Sequence, residues 1–139
     1  MSSQRSLDEV ILGQLAEAVV YADRGGVIRR WNAAATAMFG FTAAEAIGQR
    51  LDLIIPEHLR EAHWRGFDLA LARGRTRLGG RPTLTRALHR SGRRLYVEMS
   101  FALVVDDGGV AQGSVAVARD ATGRIEREKA ARAGAAAPR

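Results

Sequence analysis

The residues able to do chemistry in this chain are few. There are three histidines and no cysteine. The absence of cysteine rules out disulfides, thiolate metal sites, cysteine nucleophiles and a flavin–cysteine adduct. His63 is the most informative. Leu59, His63, Phe67, Ala70 and Leu71 recur at helical spacing on one face of the segment 57–73, and that face is the apolar one. A histidine standing where leucine is expected has two readings. It is a core side chain hydrogen-bonded to a backbone carbonyl, or it is a neutral imidazole offered to a ligand such as a haem iron. Since the carbonyl four residues back is taken by the helix, Nδ1–H needs another acceptor or a water. His58, in a first helical turn beside Glu57, and His89, beside a hairpin, read as solvated side chains. No histidine pair has metal-site spacing. Asp106-Asp107-Gly108-Gly109 is explained by a hairpin turn before a calcium loop. The Gly-Gly pairs at 25–26 and 79–80 do not open helices in a phosphate-binding pattern, and no nucleophile–base constellation is present, so an enzyme is not expected.

The elements that must position His63 follow from periodicity and punctuation. Leu7, Val10, Ile11 and Leu15 mark a short amphipathic helix. Residues 18–22 and 27–31 read as a hairpin about Asp23-Arg24-Gly25-Gly26. Asn32 is placed to cap a helix over 33–39 that Gly40 ends, and Thr42-Ala43-Ala44-Glu45 matches a capping box. After a compact apolar connector at 51–55, Pro56 leads into the longest helix, 57–73, with acidic residues first, Arg73 last and Gly74 beyond. Three strands follow at 83–89, 94–105 and 111–120. In the middle one Leu95, Val97, Met99, Phe101 and Leu103 alternate with polar residues, so one face is buried. Residues 1–5 are expected to be disordered, 6–121 to form one domain, and 122–139 to be a C-terminal helix or linker with a tail from Ala133. The fold class is α+β: a five-stranded antiparallel sheet, short helices and one longer helix packed on one face, and flanking N- and C-terminal helices. A cavity is expected between the helices and the sheet.

Composition narrows the class further. With 139 residues, 47% hydrophobic and 26% charged, the chain can bury a core. No apolar run approaches the roughly 20 residues of a membrane span, and no signal peptide opens the chain, so it reads as soluble and cytoplasmic. Net charge is +6, and eight arginines lie between Arg73 and Arg94. No aromatic interleaving or helix-turn-helix pattern accompanies them, which counts against nucleic acid as a partner.

Taken in order, Asp23…Gly26-Val27-Ile28…Trp31-Asn32, Phe39-Gly40-Phe41, Glu45, Ile47-Gly48, Ile54-Ile55-Pro56-Glu57, Arg90-Ser91-Gly92, Gly113…Val115 and Arg119-Asp120-Ala121-Thr122 resemble the PAS sensory-domain family over about residues 7–125. The resemblance implies a sensor or docking module with a pocket between the long helix and the sheet. It also implies homodimerisation through the N-terminal helix or the outer sheet face, and output through the C-terminal helix to a signalling partner or an effector domain. From Ile55 to about Leu103 the chain is similar, without gaps, to the haem-binding PAS domains of oxygen-sensing histidine kinases, matching at 55–57, Arg60, Gly74, Arg77, Gly80 and Gly92. This implies haem b as cofactor, His63 as the axial iron ligand and a diatomic gas as the signal. The implied haem-contacting set is His63, Phe67, Leu78, Arg81, Thr83, Val97, Met99, Phe101 and Val115, with Leu53, Ile54 and Leu84 also against the macrocycle. Arg77 or Arg81 would meet the propionates. Met99 reads either as a sixth ligand or as core filler. The chain departs from that group at Trp64, Gly66 and Thr83, which stand where it carries aspartate, tyrosine and the oxygen-binding arginine; Arg81 is the nearest substitute. Trp64, one step off the face of His63, would shield the pocket edge or face a partner. The other reading of the whole chain is an interaction and dimerisation module that holds no ligand or a different one.

Overall fold

The structure is a computed structural model that describes residues 4–76 and 79–136. Helix α1 (Leu7–Gln14) precedes the hairpin β1 (Ala18–Asp23) and β2 (Ile28–Trp31). Then come α2 (Ala33–Phe39), α3 (Ala43–Ala46), a 3₁₀ turn at Leu51–Ile54 and the long α4 (Glu57–Arg73). Strands β3 (Thr83–Leu88), β4 (Arg94–Val105) and β5 (Ala111–Asp120) and helix α5 (Thr122–Ala136) complete the chain. The five strands form one antiparallel sheet in the order β2-β1-β5-β4-β3. The two hairpins, far apart in sequence, meet where β1 pairs with β5, so the helices between them must cross one face.

Local chemistry fixes the crossing. The Asn32 side chain caps α2 by accepting from Ala35 N (3.0 Å), and the same oxygen accepts from Val19 N (2.9 Å). Its amide donates to Leu12 O and Glu17 O, both at 3.0 Å. One buried side chain thus ties α2 to the entry of β1, with all of its strong hydrogen-bonding positions used. The capping box forms between Thr42 and Glu45, and Gly40 closes α2 with φ 84°. In the β1–β2 turn, Asp23 Oδ1 accepts from Gly25 N and Val27 N while Oδ2 pairs with Arg29 at 2.9 Å. Burial opposes ionisation of this carboxyl, but these bonds outweigh it and hold its pKa below the ordinary range. The edge of β2 is covered by the segment after α3, where Ile28 N donates to Gln49 O and Gly48 N to Ile28 O.

The core lies between the inner sheet face and α2, α3 and the 3₁₀ turn. Phe39, Ile28, Leu95 and Val97 are its largest fully enclosed side chains, with Trp31, Ile54 and Met99 around them. The alternation in β4 is as the sequence predicts. Helix α5 runs to Ala136 and so takes in the first four residues of the expected tail. Residues 1–3 and 137–139 of the expected terminal segments lie outside the described residues.

Candidate functional site

Helix α4 stands over the sheet with only Phe67 buried among its 17 residues. A cavity of about 420 Å³ opens beneath it, within the range of small-molecule pockets. Its floor is the inner face of β3, β4 and β5, where antiparallel register brings Thr83 beside Met99, Phe101 beside Ala116 and Leu103 beside Ser114. Its roof is α4, through Leu59, His63 and Phe67, and Ile54 and Ile55 wall one end.

His63 is more than half enclosed. Its ring stands 6.0 Å from Phe67 and 4.8 Å from Trp64, edge-on to the latter. Burial holds its pKa below the ordinary histidine range; the charges of Asp52 and Asp68 push the other way and are outweighed. The imidazole is therefore neutral at pH 7. Its Nδ1 is buried and has no hydrogen-bond partner among the described residues. A satisfied core histidine would have one, and so would a metal-ligating histidine of the usual kind, which donates its second nitrogen to an acceptor. In water-free surroundings such an orphan costs about 1–3 kcal/mol.

Of the expected contact set, the structure brings His63, Phe67, Thr83, Met99 and Phe101 to the cavity, with Ile54. Five positions fall outside the cavity lining. Val97 faces inward but is sealed in the core, fully enclosed and away from the cavity. Val115 pairs with Tyr21 and Ala102 while its neighbours Ser114 and Ala116 line the cavity, so it belongs to the outer sheet face. Leu84, opposite Glu98, is likewise turned outward and exposed. Leu53 packs on the core and not on the cavity. Arg81 is exposed on the loop before β3 and does not line the cavity; the strand starts at Thr83, so the two share no strand face. Leu78 and Arg77 lie outside the described residues.

Residues absent from the expected set also appear. Thr85 and Ser114 present hydroxyl-bearing side chains to the cavity, the first two positions from Thr83 on one strand face, the second placed only by the β4–β5 register. Trp64 neither lines the cavity nor faces outward freely. Its indole N–H donates to Asp52 (2.7 Å), the Arg50 guanidinium lies 4.5 Å over its ring, and its edge fills the space beside Gly26, where a Cβ would overlap it. This clamp fixes α4, and so His63, to the β1–β2 turn. His89 hydrogen-bonds Ser91 within the β3–β4 hairpin, and Asp106 accepts from Gly108 N and Val110 N in the β4–β5 turn, so both serve turns. Among the described residues no three histidine or carboxylate side chains converge on a metal position.

On the far side of the sheet Tyr96 gathers α5. Its backbone carbonyl accepts from Ala121 N (2.8 Å), its N–H donates to Thr122 Oγ1 (3.0 Å), and Lys129 reaches its hydroxyl and lies 4.7 Å over its ring. Arg86 covers the same ring at 5.5 Å.

Comparison with known proteins agrees with this architecture. An uncharacterised protein of Azorhizobium caulinodans is 35% identical over 85 residues, 60% of this chain; the match spans only 12% of that protein's length. The PAS domain of a Colwellia psychrerythraea protein superposes with a TM-score of 0.73 at 21% identity, covering 84% of this chain and 95% of that one. An RNA-binding light–oxygen–voltage receptor gives 0.70 at 20% identity, covering 99% of this chain and 41% of its own. The profile of the PAS fold matches residues 6–121. With that match over most of its length, and with the sheet order, the crossing helices and the cavity in place, the chain belongs to the PAS family.

Proposed function

We propose that this PAS domain is a ligand-sensing module whose cavity binds a small molecule read by His63, with the flanking helices carrying the response. The observation that supports it is the neutral His63 side chain on the wall of a largely apolar cavity, with a buried nitrogen that no described residue pairs. A core built only for stability fills such a space or pairs such an atom. The docking of α5 on Tyr96, in the strand that also carries Met99, gives occupancy a route to the C-terminal helix. A homodimer and a signalling partner or effector are the expected recipients.

A second, narrower reading is haem b on His63 with a diatomic gas as signal. A neutral imidazole on an apolar wall suits it, and Met99, Phe101, Phe67 and Thr83 surround the same space. His63 would hold the group, which when bound would supply a gas- or redox-responsive iron. Against it stands Nδ1, which lacks the acceptor a ligating histidine usually has.

The test is an absorption spectrum after haem addition, on the parent and on His63→Ala, together with native mass spectrometry of the protein as purified. A Soret band in the parent that is displaced in the variant supports the haem form. A bound organic mass that His63→Ala fails to retain supports the broader one. Identical behaviour of both proteins in both measurements would overturn His63 as the reading residue and leave a PAS interaction module.

A further inference from the structure

We propose that the cavity takes a small neutral molecule, mainly apolar, carrying one hydroxyl, carbonyl or ring-nitrogen group that hydrogen-bonds His63. This rests on the ligand-sensing reading above and narrows it to a chemical class.

The first argument is the wall. Leu59, Phe67, Met99 and Phe101 offer apolar surface from both roof and floor, and burying apolar area is the general source of affinity in such sites. The second is the polar equipment. His63 projects from α4, while Thr83 and Thr85 occupy one face of β3, paired with Met99 and Val97 of the inward set. Ser114 adds a hydroxyl-bearing side chain from β5. An imidazole and hydroxyls each donate and accept, which suits uncharged polar groups of either kind.

The third argument is charge. Among the described residues no carboxylate lines the cavity, so an ammonium or guanidinium there would be buried without a counter-charge. Among the described residues the one charged side chain of the lining is Arg86. Its strand position pairs with Tyr96, and its guanidinium lies over that ring on the outer face, so it does not neutralise an anion held among Thr83, Thr85 and Met99. Among the described residues both signs of charge are thus disfavoured, while an uncharged polar group suits the part of the His63 ring that lines the cavity.

The experiment uses the full chain and four probes of matched size: benzyl alcohol, toluene, benzoate and benzylamine. Binding is read by amide NMR titration and by the shift in melting temperature, with haem as a separate arm. We expect benzyl alcohol to bind at least about tenfold more tightly than benzoate or benzylamine, moving the amides of α4 and β3. Its preference over toluene, about three- to tenfold for one net hydrogen bond, should vanish in His63→Leu. Thr85→Val should keep the melting temperature and show whether β3 contributes. Tighter binding of benzoate or benzylamine overturns the neutral class and leaves the sensor reading intact. Equal binding of toluene and benzyl alcohol to the parent overturns the role of His63 in choosing the ligand. Haem bound one to one through His63, with benzyl alcohol excluded, overturns the class in favour of the narrower reading. No perturbation by any probe overturns this proposal and the sensor reading together.

Discussion

An unpartnered nitrogen inside a protein is a cost carried at one residue, so its removal can be measured. In the ligand-free protein His63→Leu exchanges the orphaned imidazole of His63 for a side chain suited to an apolar wall. We expect a gain of about 1 kcal/mol in urea unfolding at pH 7.5, at the lower end of what an orphaned polar group costs. The gain should grow on acidification. Burial sets the folded pKa of His63 below its unfolded value, so between the two the unfolded chain binds more protons. Stability from the neutral form is complete above the unfolded pKa, falls as pH drops below it, and levels off beneath the folded pKa. The difference between parent and variant should therefore be larger at pH 5.5 than at 7.5; an equal difference would mean that the ring is not held neutral. His63 and Phe67 were legible in the sequence because a helical period of 3.6 singles out one face. Met99 and Phe101 were legible through the period of two, and Thr83 only through the family resemblance. Val115 was not, because Val115-Ala116-Val117-Ala118 is apolar throughout and alternation cannot choose a face. The register against β1 and β4 puts the alanines inward and the valines outward. Val97 shares the correct face, but its distance from α4 depends on packing that no single strand encodes.

At the scale of the element, α4 needs an anchor because it buries so little of itself. Trp64 supplies one by closing over Gly26, which has φ 77° and no room for a Cβ. Gly26→Ala would incur about 1 kcal/mol or more for the left-handed backbone and would also push the indole from its place. We expect a loss of about 2 kcal/mol or more in the parent. In a Trp64→Ala background only the backbone part should remain, so a double-mutant cycle should give a coupling of about 1 kcal/mol. Additive losses would show that the ring does not depend on that notch. The helix itself was readable from Pro56, the acidic first turn, Arg73 and Gly74, and its bounds are those the sequence predicts. The clamp was not, since Gly26, Arg50, Asp52 and Trp64 are brought together only when the β1–β2 turn meets the 3₁₀ segment. The same holds for α5. Its helical pattern is visible, but its docking depends on Tyr96 facing outward from β4 with Lys129 above it.

At the scale of the whole molecule, apolar surface remains that this chain alone does not cover. Helix α1 is well formed, with the Ser6 side chain accepting from Glu9 N, yet none of its residues is buried. Leu7 is 73% exposed and Ile11 50%, with Val10 between them on the same face and Leu15 just beyond the helix. Eight residues are too few for a helix to hold itself together in water, since nucleation is costly and propagation short. An apolar stripe along such a helix is instead the usual mark of a contact surface. The carboxamide of Asn32 ties the end of the helix to the start of α2 by donating to Leu12 O. A second copy of the chain is the partner always available, and a two-fold pair would bring one stripe against its equivalent. We expect sedimentation equilibrium to give about twice the 15.0 kDa chain mass at tens of micromolar. Ile11→Glu, which puts a charge in the middle of the stripe and is on the surface of the single chain, should return the mass to one chain while leaving the melting transition of the isolated fold in place. A parent that sediments as a single chain at every concentration, or a variant that stays paired, would assign the stripe to another protein or the pairing to another surface. The exposed outer residues Leu84 and Val104 would then be the next positions to charge.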